Sequence, residues 1–180
     1  MRVIAGKYKG REFNSPHSHK THPMSDKVRG ALFNILGDIE GLSFLDAFAG
    51  SGALAYEAAS RGAGSVVAVE KDRAAFNVIE QNIEQLRAGK VIHATRAHLS
   101  GWSSRHVEKE KYDVVLLDPS YDDLQPLLTY KVIKRHLKSG GLAVLSYPGH
   151  NNELPEFPNC KIVEQKNYGD AQLVFYRKLS

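Results

Sequence analysis

The residues best suited to do chemistry in this sequence are three carboxylates and two glycines. At Asp118-Pro119-Ser120-Tyr121 an apolar run, Tyr112 to Leu117, ends in an acid, a rigid turn and an aromatic ring. Such a set suits an exocyclic amine on a planar nitrogen base. That amine is a poor nucleophile because its lone pair is delocalised into the ring, so a catalyst must hold its hydrogens with acceptors and aim the lone pair. The Asp118 carboxylate and the Pro119 carbonyl are two such acceptors, and Tyr121 offers a face on which a base turned out of its helix can stack. Displacement at a sulfonium methyl then needs mainly positioning and electrostatics. An ordinary Asp-Pro strand exit followed by a surface tyrosine is the competing account of the same residues.

In Leu45-Asp46-Ala47-Phe48-Ala49-Gly50-Ser51-Gly52-Ala53-Leu54 an apolar strand runs into a Gly-x-Gly turn and then a helix. Nucleotide ligands meet bare main chain at such junctions, beside a helix N-terminus. Glu70 ends the next apolar run, Ser65 to Glu70, at the separation from Asp46 where a carboxylate can accept both ribose hydroxyls of a nucleoside. An acid there repels a 2′-phosphate; a helix cap is its alternative role. Asp46 suits the ammonium end of a methionine moiety or amides of its own turn, and the two roles are compatible. Together with the Asp118 turn, these features suggest S-adenosylmethionine and a planar substrate. Gly50-x-Gly52-x-x-Ala55 also fits a dinucleotide fingerprint, which would make a dehydrogenase. No evident hydride-transfer site accompanies it, and the Asp118 turn would then have no role.

Alternating elements must hold these residues. Compact apolar runs predict strands near 43–48, 65–70, 91–96, 112–118 and 141–147, each buried on both faces of a parallel sheet. Helices are expected near 51–61, 73–87 and 124–138, with Gly62, Gly89 and Gly140 just past their ends, and a short helix around Trp102. Segments 161–167 and 171–178 flank Tyr168-Gly169-Asp170 as an antiparallel hairpin. Ahead of all this, residues 2–14 alternate around Gly6 and Gly10 as a short hairpin. A loop carrying His17, His19 and His22 follows; these histidines lack thiol or carboxylate company, so no metal site is expected. Ser25 or Asp26 then caps a helix whose apolar face is Val28, Ala31, Leu32, Ile35 and Leu36.

With 180 residues, 42% of them hydrophobic, the chain suits one domain with a full-sized core. The net charge of +4 is concentrated near the start, where Arg2, Lys7, Lys9, Arg11, Lys20, Lys27 and Arg29 face only Glu12 and Asp26. Such a basic arm on a near-neutral body is a footprint for phosphate, or else a solvated face. Lys7, Lys9, Arg11, Lys27 and Arg29 are the candidate RNA contacts. No run of about 18 apolar residues and no signal-peptide core is present, which leads us to expect a cytoplasmic protein. Cys160, the single cysteine, is expected to be a buried spare thiol.

Beyond these readings, the sequence resembles class I S-adenosylmethionine-dependent methyltransferases. It is most similar to the bacterial RsmD family, which methylates the N2 amine of a guanine in 16S ribosomal RNA. The resemblance runs over nearly the whole chain: Arg2-Val3-Ile4-Ala5-Gly6 with Gly10-Arg11, Pro23-Met24-Ser25-Asp26-Lys27-Val28-Arg29, Ala31 to Leu36, the glycine motif, Val69-Glu70-Lys71-Asp72 and Leu117-Asp118-Pro119. Its N-terminal part is the specific one, since glycine turns are shared by many methyltransferases. The resemblance implies an α/β, Rossmann-like fold with a seven-stranded, mostly parallel sheet and a terminal antiparallel hairpin. Residues 1–42 would be a hairpin-and-helix extension packed on a methyltransferase domain of 43–180. It further implies Asp118, Pro119 and Tyr121 as catalytic residues. Asp46, Gly50, Ser51, Gly52, Glu70, Lys71, Ala97 and Asp118 would surround S-adenosyl-L-methionine. The partner would be 16S ribosomal RNA, free or in a small-subunit particle, met by a monomer away from any membrane. Two departures stand out. Ser120 replaces a second proline, losing stiffness and gaining a hydroxyl. Arg96-Ala97 stands where relatives carry Asp or Asn before the alanine, so adenine contacts would come from backbone. A noncatalytic RNA-binding or assembly protein and an adenine-N6 methyltransferase remain alternatives, the latter because it shares the Asp-Pro turn.

Overall fold

The computed structural model describes residues 1–16, 24–107, 111–120, 124–149 and 153–180. They gather into two compact units, Met1–Leu99 and Ser100–Ser180, and their strands form a seven-stranded mixed sheet, mostly parallel. His17, His19, His22 and Tyr121 lie outside the described residues.

In the first unit, β1 (Ser43–Asp46), β2 (Ser65–Glu70) and β3 (Ile92–Arg96) lie in the order β3-β2-β1, all parallel. Asp46 pairs with Ala68 and Glu70 with Arg96, so the carboxyl ends of these strands share one edge. Phe44, Leu45, Val66, Ala68, Val69 and Ile92 are buried, as a sheet covered on both faces requires. Helix α1 (Asp26–Leu36) starts at Ser25, whose hydroxyl accepts from the Val28 amide, and buries Arg29, Leu32 and Phe33. Helix α2 (Ala53–Ser60) is buried along its whole length. Helix α3 (Arg73–Leu86) is capped by Asp72 and ends at Arg87, which itself takes the left-handed conformation expected near Gly89.

The N-terminal hairpin is reduced to one antiparallel bridge, Arg2 with Glu12. Its apolar residues Val3, Tyr8 and Phe13 are buried; the Val3 and Phe13 amides cross the hairpin to the Arg11 and Met1 carbonyls, while the amides of Ile4, Ala5, Lys7 and Tyr8 bond to α2. Tertiary partners supply the bonds of the stretch from Ile4 to Tyr8, where the ribbon is interrupted.

In the second unit, β4 (Tyr112–Leu117), β5 (Leu137–Pro148), β6 (Cys160–Tyr168) and β7 (Ala171–Lys178) lie in the order β4-β5-β7-β6. β4 and β5 are parallel, while β7 runs antiparallel to both β5 and β6. Helix α4 (Leu99–Arg105) carries Trp102, buried and stacked 4.7 Å from His106. Helix α5 (Pro126–His136) passes directly into β5, which begins at Leu137 rather than near 141. Lys178 Nζ donates to the carbonyls of Ile133, Lys134 and Leu137, so the helix end is satisfied without Gly140 as its cap. Cys160 is half-buried at the start of β6 rather than fully enclosed. Among the described residues no helix is long and apolar enough to cross a membrane, and no cluster of three or more His, Cys, Asp or Glu could hold a metal.

Candidate functional site

Beyond β1 the chain turns through two glycines at positive φ, Gly50 at 54° and Gly52 at 79°. Gly50 presents an open side: a Cβ built there would meet only the Phe48 carbonyl oxygen, at 4.0 Å. Gly52 is closed, since the same atom would lie 2.5 Å from the Tyr56 hydroxyl. The second glycine is therefore required by packing, and the first leaves main chain accessible to a ligand. Tyr56 is fully buried against Phe13, its ring centroid 4.8 Å away, and its hydroxyl donates to the Ile79 carbonyl at 3.3 Å. Burial pushes its phenol pKa well up, a hydrogen bond with Asn82 opposes that, and the Asp46 charge adds to it. The phenol stays protonated.

Glu70 joins the strand ends. One carboxylate oxygen accepts the Gly50 amide at 2.8 Å and the other the Asp72 amide at 2.7 Å, while the Glu70 carbonyl accepts from Ala97 at 3.0 Å. Glu70 is half-buried, and with one N–H accepted by each carboxylate oxygen it keeps acceptor capacity that suits two ribose hydroxyls. The helix-cap role falls to Asp72, whose side chain accepts from Ala75. Asp46 and Ser51 are buried, Lys71 is exposed, and Ala97 is half-buried with its N–H committed to Glu70.

In the second unit, β4 delivers Asp118 half-buried, Pro119 buried and Ser120 exposed. Burial raises the Asp118 carboxyl above the ordinary carboxylate range, and a hydrogen bond with the Ser146 side chain pulls it part of the way back. Leu145 pairs with Leu117, so Ser146 on β5 arrives beside the strand exit.

On the N-terminal arm Lys7, Lys9 and Arg11 are exposed, and the Lys7 and Arg11 cations each lie 5.6 Å from the Tyr8 ring centroid. Lys27 is exposed as well. Arg29 is different. It is fully buried, donating to the Arg2 carbonyl and to Asp26, both at 2.8 Å, with Glu57 at 3.8 Å. A buried carboxylate at Glu57 demands a cationic partner, and Arg29 is spent on that demand rather than on phosphate.

The family model described as "Conserved hypothetical protein 95" matches residues 1–177. The chain is 32% identical over 185 residues to "Putative rRNA methyltransferase YlbH" of Bacillus subtilis, covering 99% of each chain. It is 35% identical over 122 residues to "Ribosomal RNA small subunit methyltransferase D" of Escherichia coli, 67% of this chain and 60% of that one. This chain belongs to the RsmD family. A solved Escherichia coli structure, "Putative methyltransferase yhhF", superposes with a TM-score of 0.88 at 28% identity, covering 99% of this chain and 98% of that one. The fold of this RsmD-family chain is accordingly that of class I methyltransferases.

Two participants escaped the reading of the sequence. Ser146 was signalled as the first hydroxyl after the apolar Leu142–Leu145 stretch, in a strand parallel to the one that carries Asp118. Glu57 was signalled as a charge inside an alanine-rich helix that had no polar face to put it on.

Proposed function

We propose that this protein transfers the methyl group of S-adenosylmethionine to the exocyclic N2 amine of a guanine in small-subunit ribosomal RNA. The observation that carries the reading is the strand exit at Asp118, a half-buried carboxylate with a raised pKa followed by a buried proline. The first unit fits the cofactor: Gly50 leaves bare backbone open, and Glu70 is braced by two amides with lone pairs to spare for ribose. When bound, the cofactor supplies an electrophilic methyl on a sulfonium. Glu70 would hold the ribose, Gly50 and Ser51 the nucleoside's approach to main chain with Gly52 closing the turn behind them, Lys71 and the Ala97 backbone its rim, and Asp46 the methionine ammonium. Ionised Asp118 would accept one amine hydrogen and the Pro119 carbonyl the other, leaving the nitrogen lone pair aimed. A carboxylate of raised pKa is also a better acceptor for the proton that the amine must release. Tyr121 would stack on the base.

The exposed cations Lys7, Lys9, Arg11 and Lys27 would contact RNA phosphates, within an extension of residues 1–42 attached to the catalytic body. A relative named for the small ribosomal subunit supports RNA of that subunit, free or in a particle, as the substrate, and the protein would act on it as a cytoplasmic monomer. The test is to incubate the protein with labelled cofactor and undermethylated small-subunit particles or free RNA, digest, and identify the nucleoside. Label on guanine N2 that vanishes in Asp118→Ala supports the reading. Label on adenine N6, or cofactor binding with no transfer to either substrate, overturns it.

A further inference from the structure

Helix α2 follows directly on Gly52, the last residue of the cofactor turn, and its inner polar groups grip the basic arm. Glu57 is fully buried and accepts the amides of Ile4 at 2.9 Å and Ala5 at 3.1 Å, while Arg61 at 2.8 Å and Arg29 at 3.8 Å balance its charge. Near the end of the helix, the Ser60 hydroxyl donates to the Ala5 carbonyl and accepts the Tyr8 amide at 2.8 Å, and the Ser60 carbonyl accepts the Lys7 amide at 2.7 Å. Gly6 passes so close that a Cβ there would overlap the Ser60 carbonyl. Apolar contact alone could hold an arm against a helix, but it would tolerate sliding. A carboxylate that accepts two consecutive amides sets both the place and the direction of the peptide, and a buried carboxylate is retained only where such partners repay its desolvation.

We propose that Glu57 is a positioning residue: by clamping Ile4 and Ala5 it holds Lys7, Lys9 and Arg11 in fixed register with the cofactor turn, so that the three cations meet RNA phosphates as one preset binding surface. This rests on the arm being an RNA contact, as proposed above. The helix that links clamp to turn is 8 residues long, which corresponds to about 12 Å. Charge on the arm supplies attraction; the clamp supplies orientation.

Methyl transfer to undermethylated small-subunit particles and cofactor binding by calorimetry are to be compared for Glu57→Gln, for Gly6→Ala and for the triple variant Lys7→Ala/Lys9→Ala/Arg11→Ala. Glu57→Gln weakens the clamp from the helix side. Gly6→Ala displaces the arm without removing any charge, so it remains informative if the first variant fails to fold. Both should raise KM for the particle about tenfold, as for loss of one charge-assisted hydrogen bond, with kcat within about twofold and cofactor affinity unchanged. If both leave that KM unchanged while the triple variant raises it, the clamp is overturned and the RNA reading of the arm stands. If the triple variant also leaves it unchanged, the RNA reading itself fails and the clamp with it. A parallel loss of kcat and cofactor affinity in Gly6→Ala, without a rise in KM, would reduce Glu57 to a structural brace and refute the proposal.

Discussion

Alanine at Gly52 would carry a methyl carbon 2.5 Å from the Tyr56 hydroxyl and 2.6 Å from its Cζ. Both turn glycines sit at positive φ, so alanine at either costs about 1 kcal/mol in backbone strain. At Gly50 little is added, since the new methyl meets only the Phe48 carbonyl oxygen at 4.0 Å. At Gly52 the neighbour cannot yield, because Tyr56 is fully buried, bonded to Ile79 and packed on Phe13. Overpacking of this kind adds about 1–3 kcal/mol. Gly52→Ala should therefore destabilise by about 2–4 kcal/mol and Gly50→Ala by about 1 kcal/mol, measured by equilibrium urea unfolding. Cofactor affinity should rank the other way: the Gly50 methyl projects into the open side and should weaken S-adenosylmethionine binding about tenfold or more in calorimetry. Tyr56→Leu should relieve Gly52→Ala, so that the double variant is more stable than the sum of the single losses predicts. Equal losses at the two glycines, or unaltered affinity in Gly50→Ala, would refute this division of labour.

Burial raises the Asp118 pKa above its value in the unfolded chain, so between the ordinary 3.8 and the raised native value the folded state binds more protons. Stability must fall as pH rises through that window; Asp118→Asn should unfold at higher urea than the parent at pH 7, lose that advantage in acid, and turn over at least about 100-fold more slowly. An Asn variant no more stable at neutral pH would contradict the sign. Glu70→Ala orphans the Gly50 and Asp72 amides and should weaken cofactor binding by about 1–3 kcal/mol; unchanged affinity in calorimetry would remove Glu70 from the site. Removing Lys7, Lys9 and Arg11 together should flatten the slope of log RNA affinity against log salt by roughly 2–3 units. Arg29→Met should leave that slope untouched while costing about 3–5 kcal/mol of stability, and a flattened slope there would return Arg29 to the phosphate surface.

What the sequence disclosed follows the range of the forces involved. β2, β6 and β7 were legible almost to the residue because each is a run bounded by its own turn signals, and the strand-end positions of Glu70 and Asp118 were legible because an apolar run stops at each. Boundaries failed where a distant group decides them. The join of α5 to β5 depends on a lysine in the last strand, and the amides from Ile4 to Tyr8 that bond at all turn to α2 rather than to carbonyls across the hairpin. Arg29 was misjudged for another reason. The apolar spacing Val28, Ala31, Leu32, Ile35, Leu36 sets the inner face about one residue away from the buried set Arg29, Leu32 and Phe33, and a cation in a cationic segment is read outward by default. The buried Glu57 that draws it inward lies in the next helix, beyond the reach of any local pattern.

The lysine that closes α5 also sets the order in which the second unit can be completed. Lys178 bonds the Leu137 carbonyl from 41 residues farther along, and its strand β7 is the one that both β5 and β6 need as a neighbour. As the chain emerges from the ribosome, α5 therefore has an open end and β5 an open edge until β7 is made. Closure of this half cannot proceed strand by strand in step with elongation; it is one late, long-range event, slowed by the loop that must be drawn in first. Until then the apolar Leu142–Leu145 stretch is a template for the wrong strand.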